Sequence, residues 1–245
     1  MSTCCGGYAQ AGIKLIMERK KTEINTEGFP AEISGLLQGF AVYDSSCSKE
    51  AKVFFIERDE GFYLKIAAAK TLEAESILTK YFYSLGLSAE VCLYVQSDKD
   101  YMITRRIPGE DATAAIYLSN PKKLCEVFAQ TLAGLHKMDF SGCPVKSKTS
   151  SLIPNSLIQN PEYTALIHGD YCLPNILLED FKFTGLIDLD HAGIGDPHRD
   201  IVSAFWTLNR NLKTDKYNDL FLDCYGKNKI DPDRLRLWEE TYGKS

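Results

Sequence analysis

No apolar run in the chain approaches the ~20 residues that a membrane-spanning helix needs, and no secretory pattern opens it, so neither a membrane span nor export is expected. A basic excess is missing as well. With 28 Lys and Arg against 33 Asp and Glu the net charge is −5, the wrong sign for a nucleic-acid face and compatible with a cationic small substrate. The eight cysteines, at 4, 5, 47, 92, 125, 143, 172 and 224, nowhere take the C-x-x-C spacing of zinc or redox sites. Free thiols in a reducing cytoplasm are the simplest reading. What is present is an ordinary globular composition, 44% hydrophobic and 25% charged, over 245 residues. That length serves one large domain or two small lobes, and either buries a core.

Residues 1–38 read as an irregular lead-in. It holds a loose Cys4-Cys5-Gly6-Gly7 start, a short apolar piece at 13–17, a basic run at 19–21 taken as a solvated face, and one helix near 31–37. Residues 40–43, 52–57 and 62–67 are β-branched and aromatic, and Asp59-Glu60-Gly61 makes the last two a hairpin. The loop between the first two carries Ser45, Ser46 and Ser48. Such hydroxyls could close over phosphates, but the loop lacks glycine and by itself reads as a plain turn. Lys65 stands inside the third strand pattern, and residues 71–85 follow as a helix with an apolar stripe at Leu78, Tyr81, Phe82 and Leu85. Glu75 falls on that stripe. A buried carboxylate needs a cation, since an unpaired buried charge costs several kcal/mol, roughly, and Lys65 is the nearest candidate. Glu73 points elsewhere. Two more strands at 91–95 and 101–105 make about five, and Pro108-Gly109-Glu110-Asp111 is a candidate hinge. Residues 1–107 are therefore expected to form a small lobe, with backbone groups near 104–107 facing a ligand in the crevice beyond.

Residues 108–245 read as a mainly helical lobe. A helix over 120–138 starts at the cap Asn120-Pro121 and buries Leu124, Phe128, Leu132 and Leu135, with His136 as a structural hydrogen-bonding residue near its end. Residues 141–161 read as loop. An apolar run at 165–167 delivers His168, Gly169 and Asp170 into a turn, Asn175 follows five positions on, and a hairpin around Glu179-Asp180 leads to Asp188. This order is the phosphoryl-transfer template: a carboxylate on the acceptor hydroxyl, then an Asn and an Asp for Mg²⁺. Asp196-Pro197 opens another helix with Ile201, Ala204, Phe205 and Leu208 on its core face, and helices at 215–225 and 231–241 close the chain.

Three competing patterns are weaker. His198-Arg199-Asp200 looks like a kinase catalytic triplet, but Phe205 stands where a metal-binding Asn is required, so Asp200 reads as a structural acid. Asp188, Asp190, His191 and His198 match no compact metal-ligand spacing, which demotes a metallohydrolase. His168 and Cys172 lack a third group to orient a thiol nucleophile, and Cys172 reads as a buried cysteine.

The segment from His168 to Ile176, His-Gly-Asp-Tyr-Cys-Leu-Pro-Asn-Ile, with Ile187-Asp188-Leu189-Asp190, resembles the signature of bacterial aminoglycoside phosphotransferases, above all the 3′-hydroxyl kinases. Tyr63-Leu64-Lys65, Glu75, Pro108-Gly109-Glu110-Asp111, Leu132-Ala133-Gly134-Leu135-His136 and Asp200-Ile201 extend the resemblance over about residues 25–235. It implies an α+β, bilobal protein-kinase-like fold: a small antiparallel-sheet lobe with one helix, 1–107, for nucleotide, and a mainly helical lobe, 108–245, for catalysis, metal and acceptor. It further implies Lys65, held by Glu75, on the ATP phosphates, with Ser46 and Ser48 over them and backbone contacts from Arg105 and Ile107 to adenine. Asp170 is then the base, and Asn175 and Asp188 hold Mg²⁺. The implied reaction moves the γ-phosphoryl group of ATP to an aminoglycoside 3′-hydroxyl, in the cytoplasm. An amino alcohol or sugar kinase, or a nucleotide-binding member that has lost catalysis, remain the alternatives. The chain departs from the family in the short 145–167 interval, in a C-terminus running Trp238 to Ser245, and in Arg210 where an acid is usual.

Overall fold

The computed structural model describes residues 20–146 and 164–242. They fall into two compact units, the first ending at Ile107 and the second starting at Pro108. Both are built from antiparallel sheet and helix, so the class is α+β. The readings of residues 1–19, and most of the 141–161 loop, lie outside the described residues.

The first unit is a six-stranded antiparallel sheet. Its strands are β1 (Lys20–Thr22), β2 (Ala41–Asp44), β3 (Ala51–Glu57), β4 (Phe62–Ala68), β5 (Val91–Gln96) and β6 (Lys99–Arg105), in the order β1-β2-β3-β4-β6-β5. Helix α1 (Ala31–Leu37) covers one face: Ile33 and Leu37 pack with Val42, Ile56, Leu64, Ile66, Tyr101 and Ile103. Because side chains alternate along a strand, Lys65 and Ala67 of β4 turn to the opposite face. There Ala67 packs with Leu72 and Met102, and Lys65 is the register partner of Met102. Leu72 leads into α2 (Glu73–Ser84), which has no capping side chain of its own. Asp100, fully buried in β6, supplies one, accepting from the amides of Lys70 at 3.0 Å and Leu72 at 2.8 Å.

Two corrections fall on this unit. The lead-in is not wholly irregular, because Lys20 and Lys21 are strand residues paired with Asp44 and Tyr43. They remain exposed, as an edge strand's lysines should, but a Lys-Lys-Thr triplet has no apolar alternation to betray it. The sheet therefore has six strands rather than about five.

In the second unit β7 (Glu110–Asp111) pairs with β9 (Ile176–Glu179), which pairs with β10 (Lys182–Leu186). Glu110-Asp111, read as part of a turn, is thus a short strand, and the bend before it lies at Pro108 and Gly109. Gly109 has φ +93°, and a Cβ there would meet the Leu178 carbonyl oxygen at 2.2 Å, so only glycine allows β7 this close to β9. Helix α3 (Ala115–Leu118) precedes α4 (Pro121–Leu135), which starts at the Asn120 cap and buries Leu124, Phe128, Leu132 and Leu135. It stops three residues before the expected 138, with His136 at its C-cap. Strand β8 (Ala165–Ile167) pairs with β11 (Gly193–Gly195). Helices α5 (Pro197–Leu212), α6 (Asn218–Tyr225) and α7 (Pro232–Tyr242) follow among the described residues. On α5 the core positions Ile201, Ala204, Phe205 and Leu208 are all buried.

Candidate active site

In the first unit the pairing of Lys65 with Glu75 is direct. The Lys65 Nζ lies 2.8 Å from each carboxylate oxygen of Glu75. Glu75 is 4% exposed, on the buried face of α2, whereas Glu73 faces solvent. The sheet pleat sends Lys65 to the α2 side and the helix period sends Glu75 back, so the two periods select this pair.

In the second unit the loop after β8 is held from three directions. Gly169 adopts φ +79°, and a Cβ would stand 2.1 Å from the His191 carbonyl oxygen, so the turn admits no side chain. Asp200, at the start of α5 and fully buried, accepts from the amides of His168 and Gly169, both at 2.7 Å, and contacts His136 Nε2 at 3.2 Å. His136 in turn meets the Tyr225 hydroxyl at 2.8 Å. Burial pushes the Asp200 carboxyl up, but the His136 hydrogen bond and the amide of His168 together hold it below the ordinary carboxylate value. This is how a fully buried acid stays ionised and keeps both oxygens on the loop. His168 completes the frame: Nε2 donates to Ile187 O at 3.0 Å, so Nδ1 is left to accept from the Asp170 amide at 3.3 Å.

Asp170 is buried at the centre of this frame. Asn175, at the end of a short 3-10 turn over Leu173–Asn175, donates its amide nitrogen to Asp170 O at 3.0 Å and Oδ2 at 3.3 Å. Cys172 Sγ donates to Asp170 Oδ1 at 3.1 Å. The Asp188 backbone comes alongside because the Ile187 amide donates to Asn175 O at 3.1 Å. Asp188 itself sits at φ +61°, a left-handed conformation that costs a non-glycine residue of order 1 kcal/mol or more.

The donors at Asn175 and Asp188 fit a Mg²⁺ ion. Asn175 turns its nitrogen to Asp170, which leaves its amide oxygen for a cation, and Asp188 adds a carboxylate; two hard oxygens, completed by phosphate oxygens and water, are how Mg²⁺ is usually held.

Comparison with known proteins settles the family. The description "Phosphotransferase enzyme family" matches residues 154–238. A probable aminoglycoside 3′-phosphotransferase of Lactococcus lactis is 40% identical over 250 aligned residues, covering 89% of this chain and 95% of the relative. The chain belongs to the aminoglycoside phosphotransferase family. An aminoglycoside 3′-phosphotransferase of Niallia circulans is 27% identical, covering 57% of this chain and 65% of the relative. Among solved structures, aminoglycoside phosphotransferase APH(3″)-Id from Streptomyces rimosus superposes with a TM-score of 0.67 at 21% identity, over 85% of this chain and 93% of that one. The same protein in complex with ADP and streptomycin gives a TM-score of 0.66 at 19% identity, over 89% and 97%. These likenesses bear out the protein-kinase-like fold.

For a phosphotransferase, the remaining candidate residues sit as follows. Ser46 Oγ accepts from the Val53 amide at 3.0 Å, and Ser48 Oγ from the Ala51 amide at 3.4 Å, so both hydroxyls help close the β2–β3 turn. Arg105 ends β6 with its side chain on Glu90 at 3.0 Å and over the Phe62 ring at 5.3 Å, and Ile107 is buried two residues on. His198, from the decoy triplet, gives Nδ1 to Asp196 at 2.7 Å and accepts the Asp231 amide on Nε2 at 2.9 Å. Neither ring nitrogen is left for a metal, and among the described residues no three His, Cys, Asp or Glu gather to hold one. Sequence reasoning set Cys172 aside as a plain buried thiol and did not see its contact with Asp170, because a turn of this length can aim residue 172 to either side.

Proposed function

We propose that this phosphotransferase moves the γ-phosphoryl group of ATP to the 3′-hydroxyl of an aminoglycoside. The observation that carries the reading is the carboxylate of Asp170 held against Asn175 within one loop, with Asp188 brought alongside through Ile187. The Lactococcus lactis relative, a probable aminoglycoside 3′-phosphotransferase, supports the 3′-hydroxyl, and the ADP complex of the Streptomyces rimosus structure supports the nucleotide.

In this reading Asp170 orients the acceptor hydroxyl and accepts its proton as the oxygen attacks the γ-phosphorus. The frame of Asp200, His168 and Gly169 fixes the carboxylate in advance, so no barrier is spent on arranging it. Lys65, aimed by Glu75, binds phosphate oxygens; Ser46 and Ser48 close over them, and the backbone at Arg105 and Ile107 meets the adenine. Asn175 and Asp188 hold Mg²⁺, which when bound neutralises charge on the transferred group. Residues up to 107 serve the nucleotide and those from 108 the acceptor. Among the described residues no helix is long and apolar enough to cross a membrane, in keeping with a cytoplasmic enzyme.

The test is ADP release from Mg²⁺-ATP against a 3′-hydroxyl aminoglycoside, its 3′-deoxy analogue, streptomycin, choline and simple sugars. Turnover with the first and none with the second is expected. Turnover with choline or a sugar alone replaces the acceptor, and ATP binding with no acceptor phosphorylated removes the enzymatic reading.

A further inference from the structure

The catalytic loop is read by one face of helix α5. Asp200 takes the amides of His168 and Gly169, Ser203 lies 3.4 Å from Cys172 Sγ, and Thr207 Oγ1 accepts the Leu173 amide at 3.3 Å. The spacing i, i+3, i+7 puts these three polar groups on one stripe of an otherwise apolar buried face. Two of the three contacts are to backbone. The middle one is to a side chain, and that side chain touches Asp170.

Cys172 is 2% exposed. A buried cysteine ordinarily serves as a small hydrophobe, as Cys125 does with its thiol on the Tyr217 carbonyl of the helix-leading segment. Cys172 differs in its neighbours, which are a carboxylate at 3.1 Å and a hydroxyl at 3.4 Å. The backbone imposes this placement: the Cys172 amide donates to Asp170 O at 2.8 Å and the Asn175 amide to Cys172 O at 2.9 Å, folding residue 172 over the side chain of 170.

Counting protons fixes the direction of the contacts. An ionised carboxylate only accepts, and a thiol has one hydrogen. With that hydrogen on Asp170 Oδ1, the Ser203 hydroxyl must donate to Sγ. We infer that Cys172 is a positioning residue for Asp170: its thiol, backed by the Ser203 hydroxyl, holds Oδ1 while Asn175 holds Oδ2, so that the carboxylate cannot rotate away from the acceptor. The chain of donors runs from Ser203 through Cys172 to Asp170, each bond polarising the next. This inference rests on the reading of Asp170 as the catalytic base.

The experiment measures steady-state kinetics of the full chain with Mg²⁺-ATP and a 3′-hydroxyl aminoglycoside. Cys172→Ala, which removes the donor, is expected to lower kcat about tenfold. Both KM values are expected to stay within about twofold, because the nucleotide and acceptor contacts are untouched. Cys172→Ser restores a donor at the same place and is expected to recover kcat to within about threefold of wild type. Wild-type kcat in Cys172→Ala, or a serine variant as impaired as the alanine one, overturns the inference. Ser203→Ala reads the same relay from another element and keeps the test open should Cys172→Ala fail to fold. A loss of about threefold in kcat at constant KM supports the relay, and unchanged kcat overturns it. Asp170→Asn separates the two claims. An active Asp170→Asn enzyme removes the base itself, whereas an inactive one beside a fully active Cys172→Ala removes only the positioning role.

Discussion

Removing the Glu75 carboxylate takes away the two contacts at 2.8 Å that aim Lys65, while leaving the lysine's charge in place. Glu75→Gln is therefore expected to raise the KM for ATP about tenfold with the acceptor KM unchanged; equal KM values for ATP in the two proteins would count against the role of the pair. Gly169→Ala tests the other end of the machinery. The new Cβ would sit 2.1 Å from the His191 carbonyl oxygen at φ +79°, so the loop must shift. A displacement of even an ångström at Asp170 is expected to lower kcat about a hundredfold, with circular dichroism showing a folded protein. At this scale Lys65, Glu75, Asp170, Asn175 and Asp188 stand out in the sequence as candidates because each breaks a local pattern: a lysine in an apolar strand, a carboxylate on an apolar stripe, polar residues at fixed intervals after an apolar run. Cys172 breaks none. Its meaning lies in where a turn points it, and that is a fact of three dimensions.

Helices α5 and α7 are tied through one carboxylate. Asp196 caps α5 and accepts from His198 Nδ1 at 2.7 Å, Trp238 Nε1 at 2.9 Å and Arg234 Nε at 3.0 Å. Burial pushes its carboxyl up, but the hydrogen bonds from His198 and Trp238 outweigh that and hold it below the ordinary value of 3.8. The unfolded chain thus takes up the proton first as pH falls. The stability that Asp196 gives is complete above 3.8 and is lost as pH drops through the lower native value. Urea midpoints for Asp196→Asn are expected to fall by the equivalent of about 3 kcal/mol at pH 7, because a buried cation and a buried donor lose their partner. The variant is also expected to show a shallower decline than wild type on the acid side; parallel acid limbs would contradict the assignment. Elements with strong patterns were legible: α1 over Ala31–Leu37 and β8 over Ala165–Ile167 fall where apolar spacing puts them. The short strands β1, β7 and β11 were not. Lys-Lys-Thr, Glu-Asp and Gly-Ile-Gly have no strand character of their own and become strands only through the neighbours they pair with.

Over the whole chain, a net charge of −5 bears on association with a polycationic acceptor. The value of kcat/KM for the aminoglycoside is expected to drop about tenfold between low and high ionic strength while kcat holds, and a flat salt profile would exclude steering. The α+β class and the phosphotransferase chemistry were legible in the sequence because one block of residues, 166–200, carries both the strand pattern and the polar groups. The acceptor was less so, since residue types alone do not specify one ligand. Mass spectrometry and NMR of the acceptor after incubation with Mg²⁺-ATP test the central claim most directly. One phosphoryl group on the 3′-oxygen, formed by wild type and not by Asp170→Asn, is the predicted product. An unmodified acceptor, a phosphate on another hydroxyl, or the same product from the Asp170→Asn enzyme would contradict it.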